Sequence, residues 1–145
     1  MSQGIHDKVR TTREEDVNIG KGGSVTELMW AARKPHNSLI VRALLDEATL
    51  DVNCSDSCGQ TALHFAAEND NVEAVQLLLA DQRLKTVNQK NIYGLTPVML
   101  AVMHNNVNVI RKLVAHPSVD LDTVDGLGKR LEEVARLVSL IIPND

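Results

Sequence analysis

The sequence predicts an all-α solenoid of stacked antiparallel helix pairs, and three observations at one spacing predict it. Val25-Thr26-Glu27-Leu28-Met29-Trp30-Ala31-Ala32, Gly59-Gln60-Thr61-Ala62-Leu63-His64-Phe65-Ala66-Ala67 and Gly94-Leu95-Thr96-Pro97-Val98-Met99-Leu100-Ala101 share one order of small, apolar and alanine positions, with their threonines 35 residues apart. Asp51-Val52-Asn53 is matched 35 residues later by Val87-Asn88. Apolar pairs recur at Val41-x-x-Leu44-Leu45, Val75-x-x-Leu78-Leu79 and Ile110-x-x-Leu113-Val114. Self-similarity at such a period marks a stacked repeat, in which each helix pair buries its apolar face against its neighbours.

The middle copy, Asp56 to Asn88, resembles an ankyrin repeat, which that family writes as roughly D-x-x-G-x-T-P-L-H-x-A, a second helix and D-V-N. Asp56, Gly59, Thr61, Leu63, His64, Ala66, Leu78 and Leu79 stand in place. The resemblance covers the chain from about 21 to about 135 and is specific, because three copies match in order. It implies an ankyrin-repeat solenoid with β-hairpin-like finger loops over 21–145, its repeats at about 21–55, 56–90 and 91–124 and a partial one at 125–145.

The elements follow in order. Residues 1–20 read either as a polar leader or as a degenerate capping half-repeat, since Ile5, Val9 and Asp16-Val17-Asn18 lie 35 residues before Ile40, Leu44 and Asp51-Val52-Asn53. Gly20, Gly22 and Gly23 suit the first turn. Thr26 is an N-cap candidate for a helix with Leu28, Ala31 and Ala32 inward; Pro35 and Asn37 end it, and Ser38 to Leu45 returns antiparallel. Thr26 to Val41 is one residue longer than Thr61 to Val75 or Thr96 to Ile110, so the first interhelix turn holds an extra residue. Asp70-Asn71 and Asn105-Asn106 occupy the turn where the family usually has glycine, and asparagine is the best non-glycine residue for a left-handed conformation. Pro97 fits the first turn of its helix. Met29 and Met99 stand where the second repeat has His64, so those repeats lack its hydrogen bonds. Leu131 to Ile142 reads as a last helix ended by Pro143, with an apolar stripe wider than a terminal cap shows to water.

Composition narrows the function. With 145 residues, net charge −4, mixed charge signs and 2% aromatic content, the chain offers neither a basic stripe for nucleic acid nor a polybasic membrane patch. No signal-peptide core or membrane-length apolar run occurs, which predicts an intracellular protein, cytoplasmic or nuclear. Cys54 and Cys58 read as reduced thiols, and the Asn53-Cys54-Ser55 sequon as idle. No metal-ligand spacing, phosphate loop or nucleophile motif is present, so neither cofactor, metal, small-molecule substrate nor catalysis is expected. Glu14-Glu15 and Glu132-Glu133 are adjacent pairs that point apart on a helix. Trp30, Phe65 and Leu100, 35 apart, read as a core ladder.

What remains is the surface. The resemblance implies a non-enzymatic protein–protein interaction module or scaffold that holds a protein or peptide partner in the concave groove of finger tips and first helices. Carried over by position, the first repeat offers Val25, Arg33 and Lys34. The second offers Ser57, Cys58, Gln60, Glu68 and Asn69, and the third Ile92, Tyr93, Leu95, Met103 and His104. By resemblance, His64 is structural, bonding within and between fingers. The alternative is a scaffold piece, a longer array or a homo-oligomer that docks through Leu137, Leu140 and Ile142.

Overall fold

The computed structural model describes residues 26–120. Within them six α-helices run in pairs: α1 (Glu27–Ala32) with α2 (Ser38–Leu45), α3 (Ala62–Glu68) with α4 (Val72–Ala80), and α5 (Pro97–Met103) with α6 (Val107–Ala115). Neighbouring first helices contact one another, as do neighbouring second helices, so the pairs form two layers. The proposed leader or half-repeat, the last helix and its Leu137, Leu140 and Ile142 lie outside the described residues.

Local chemistry sets each helix. Thr26, Thr61 and Thr96 each accept the N–H of the residue three further on, at 3.2 to 3.4 Å, meeting one of the donors a helix start leaves orphaned. Leu28, Met29, Leu63, Met99, Ile110 and Leu113 are buried, and Ala31, Ala32, Ala66, Ala67, Ala74 and Ala101 let the helices approach closely. The first repeat takes up its extra residue as a 3-10 turn, Pro35–Asn37, ahead of α2.

Asparagine serves the second and third interhelix turns, though in two roles. Asp70 and Asn105 hold the left-handed conformation, at φ 57° and 56°, and the N–H groups of Asn71 and Asn106 then close the helix ends on Ala66 O and Ala101 O, both at 2.9 Å. In the second repeat the left-handed residue is therefore the aspartate. Asn71 instead reaches back one repeat, donating to Ala32 O at 2.9 Å and Lys34 O at 3.1 Å. Asn106 repeats this on Ala67 O at 2.7 Å and Glu68 O at 3.2 Å.

A second row of asparagines ties the opposite side. The Asn53 side chain donates to Arg83 O and accepts from Lys85 N–H, at 2.9 and 2.7 Å; Asn88 does the same with Ser118 O and Asp120 N–H, both at 2.8 Å. Arg83 adds a clamp of its own. Its guanidinium donates to Leu45 O at 2.6 Å and Glu47 O at 2.8 Å, at the end of α2, while Asp81 holds it from below at 2.7 Å. The hydrogen bonds from Arg83 hold the Asp81 carboxyl below its ordinary pKa.

The fingers are closed turns, with no strand among the described residues. Asp56 Oδ1 accepts from Cys58 and Gln60 N–H, both at 2.9 Å; Asn91 Oδ1 accepts from Tyr93 and Leu95 N–H at 2.9 and 3.0 Å. Gly59 and Gly94 turn each tip at φ 74° and 78°. A Cβ on Gly59 would stand 3.1 Å from Asn91 Cα, whereas one on Gly94 would meet nothing within 4 Å. Gly94→Ala is therefore expected to lose only the glycine backbone freedom, about 1 kcal/mol. Gly59→Ala should cost about 1 kcal/mol more, because it also pushes the fingers apart. Urea midpoints of the two variants check this ordering.

Candidate functional site

The residues singled out in the sequence fall into two sets. Ser57, Cys58, Gln60, Ile92, Tyr93 and Leu95 belong to the fingers, which the backbone joins: Ile92 N–H donates to Cys58 O at 2.9 Å, and Asn91 Nδ2 to Gln60 Oε1 at 2.8 Å. Gln60 is half-buried and committed to that bond. Leu95 is half-buried against the core. Ser57 is exposed, and Ile92 and Tyr93 stand 62% and 72% exposed.

The second set lies along the first helices. Arg33, Lys34, Asn69, Met103 and His104 are exposed and Glu68 is half-buried. Glu68 Oε2 and His104 Nε2 are 3.8 Å apart across two repeats, an exposed contact worth a fraction of a kcal/mol when the imidazole is protonated. Asn69 donates to Phe65 O at 2.7 Å, fastening the end of α3. Val25 lies outside the described residues.

One expectation is corrected. Phe65 and Leu100 are buried as core-ladder residues should be, but Trp30 is 54% exposed. Phe65, its equivalent, faces Arg33 of the repeat before it, whereas α1 opens the described stack. The Arg33 guanidinium sits 4.9 Å from the Trp30 ring and 5.7 Å from that of Phe65, so a cation rests on two aromatic faces and its planar donors are held in place. Spacing alone could not show this; that Trp30 is first in its column was the available signal.

His64 is wholly buried. Its Nδ1 accepts from Thr61 N–H at 3.0 Å, which leaves Nε2–H to donate to Leu95 O at 3.0 Å in the next finger. Thr61 and His64 thereby cap one helix reciprocally. Both ring nitrogens are used by the framework, so His64 is no ligand or base on offer. Met29 and Met99, buried in the same column, carry no such bond.

Cys54 and Cys58 form no disulfide, Cys54 being buried. The nitrogen of the Asn53 sequon is the one that donates to Arg83 O. Among the described residues no group of three or more His, Cys, Asp and Glu side chains could hold a metal ion, and no helix is long and apolar enough to cross a membrane.

Helix pairs stacked in two layers, with asparagines stitching each to the next, define a helical repeat solenoid. The chain belongs to the ankyrin repeat family: the family model for ankyrin repeats, in three copies, matches residues 28–125. Ankyrin repeats generally act as protein–protein interaction modules and are typically non-catalytic. No curated protein matches the chain.

Burial lowers the His64 pKa from its ordinary value against smaller opposing effects of its hydrogen bonds and Asp56. Below pH about 6.5 the unfolded chain takes up a proton that the native ring refuses. Stability contributed by this group is thus complete above that pH and is lost as pH falls toward the lowered native value. Urea midpoints from pH about 7.5 to about 5.5 should fall faster for the wild type than for His64→Met, the difference reaching at most about 1.4 kcal/mol per pH unit. Parallel slopes would remove His64 as the cause.

Proposed function

We propose that the chain binds a partner protein or peptide in the groove between the finger tips and the first helices, with Ile92, Tyr93 and Met103 as the apolar anchors and Arg33, Ser57, Glu68 and His104 around them. The setting that fits this reading is intracellular, in keeping with two cysteines that form no disulfide. The observation that carries it is the Asn91–Leu95 finger. Its tip shows two large apolar side chains to water, although the turn beneath them is held by bonds that use none of their atoms beyond the backbone. Folding alone gives no reason for an isoleucine and a tyrosine there.

Physical chemistry favours such a tip as an anchor. A rigid turn loses little entropy when it is covered, and tyrosine brings area with few rotatable bonds. Met103 is 53% exposed on α5, and its flexible thioether suits an irregular partner surface. Arg33, steadied on Trp30 and Phe65, presents its guanidinium to an acidic or carbonyl group at the first-repeat end of the groove. Ankyrin repeats generally use their surface in this way, but a fold hosts many partners, and the partner's identity is open to capture.

Capture from lysate on the wild-type chain, beside the variant Ile92→Ser, Tyr93→Ala, Met103→Ala, tests the reading. A partner whose affinity drops about tenfold or more with the variant, while thermal stability stays within about 0.5 kcal/mol of the wild type, supports the groove. Equal retention of the partner by both chains sinks it and moves attention to the apolar residues Leu137, Leu140 and Ile142. A large fall in melting temperature for Tyr93→Ala alone would assign that side chain to packing.

A further inference from the structure

The outer face of the first described repeat is built like a face that the other two repeats bury. A hollow of about 160 Å³ lies there, lined by Glu27, Trp30, Ala31, Lys34, Asn37 and Ile40. The residues equivalent to Trp30 are Phe65 and Leu100, at 9% and 6% exposure against its 54%; those equivalent to Ile40 are Ala74 and Val109, both at 0% against its 48%. Asn37 is the N-cap of α2, as Asn71 and Asn106 are of α4 and α6. Those two reach back to carbonyls of the preceding first helix. Apolar area and an asparagine are thus set out where a preceding repeat would sit.

We propose that residues 5–18 of the same chain occupy this face as the second helix and closing loop of a preceding repeat. Val9 and Val17 stand 35 residues before Leu44 and Val52, and the columns they would extend are buried throughout: Leu44, Leu78 and Leu113 in one, Val52 and Val87 in the other. Asp16-Val17-Asn18 repeats Asp51-Val52-Asn53, and Asn53 and Asn88 each bridge to the loop of the following repeat. The connection has the right length. Asn18 to Thr26 spans the same eight residues as Asn53 to Thr61 and Asn88 to Thr96, so the segment reaches the face by the path the described repeats use. Such a tether gives it an effective concentration around the millimolar range, ahead of a second copy of the chain in dilute solution.

Trp30 is the one tryptophan of the chain and reports on this face directly. In the 145-residue chain its fluorescence is expected to be shielded from acrylamide and blue-shifted. Val9→Lys with Val17→Lys should raise the quenching constant at least about twofold and red-shift the emission, while Asp7→Lys with Thr11→Lys, which align with the exposed Arg42 and Asp46, leave both unchanged. Should the lysine pair unfold the repeats, as far-UV circular dichroism would show, Val9→Ala with Val17→Ala is read in the same way. Full accessibility of Trp30 in the wild type overturns the proposal. So does shielding that the Val9 and Val17 variants leave intact; if that shielding also grows with protein concentration, a second copy covers the face instead.

Discussion

Helices of six to nine residues are too short to persist alone, because nucleation costs more than so few intrahelical bonds return. Every helix here depends on burying one side against the next repeat. That dependence explains the composition: with 2% aromatic residues, close approach is obtained from alanine columns and leucine, valine and methionine fill. It also means that stability is shared between neighbours and passes along the stack, as in a one-dimensional array.

Apolar contact is tolerant of sliding, so something directional must fix how one pair sits on another. Polar side chains do this at the three edges of the interface. Asn71 and Asn106 bond to the ends of the first helices, Asn53 and Asn88 to the closing loops, and His64 with the Ile92 amide to the fingers. The four asparagines and His64 are buried or half-buried; Asn71, Asn53, Asn88 and His64 use both donor and acceptor, while Asn106 donates only. A slip of one residue would leave them unpaired at a cost of about 1 to 3 kcal/mol apiece. The register is therefore written in asparagine and histidine while the attraction is written in leucine and alanine.

This division explains what could be read in advance. The helix pairs, the Thr26 cap and the odd turn after Pro35 are properties of residue type at a spacing, and a sequence shows spacing; the structural role of His64 comes from the family resemblance. The Arg83 clamp has no periodic counterpart: it depends on where one side chain reaches, from Asp81 to the carbonyls ending α2. Trp30 shows the reverse failure. Its period is perfect, but burial in a repeat depends on the neighbour as well as on the column, and the first member of a column has no described neighbour. For the proposed binding surface, position could nominate Gln60, Asn69 and Leu95 beside Ile92 and Tyr93. Only the structure separates those committed to bonds and core from those left outward.

Arg33 is where the stack and the surface meet. Its guanidinium lies over Phe65, which belongs to the interface between the first and second repeats, and over Trp30, which belongs to the outer face of the first. Whatever covers Trp30 also fixes the ring on which Arg33 rests and lowers the local dielectric beside the cation, strengthening any bond it makes to an acidic group. In the proposed arrangement, occupation of the end face and binding at the first-repeat end of the groove would be linked through this one side chain. By the reciprocity of such coupling, the proposed partner's contact with Arg33 would in turn favour the proposed covering of Trp30.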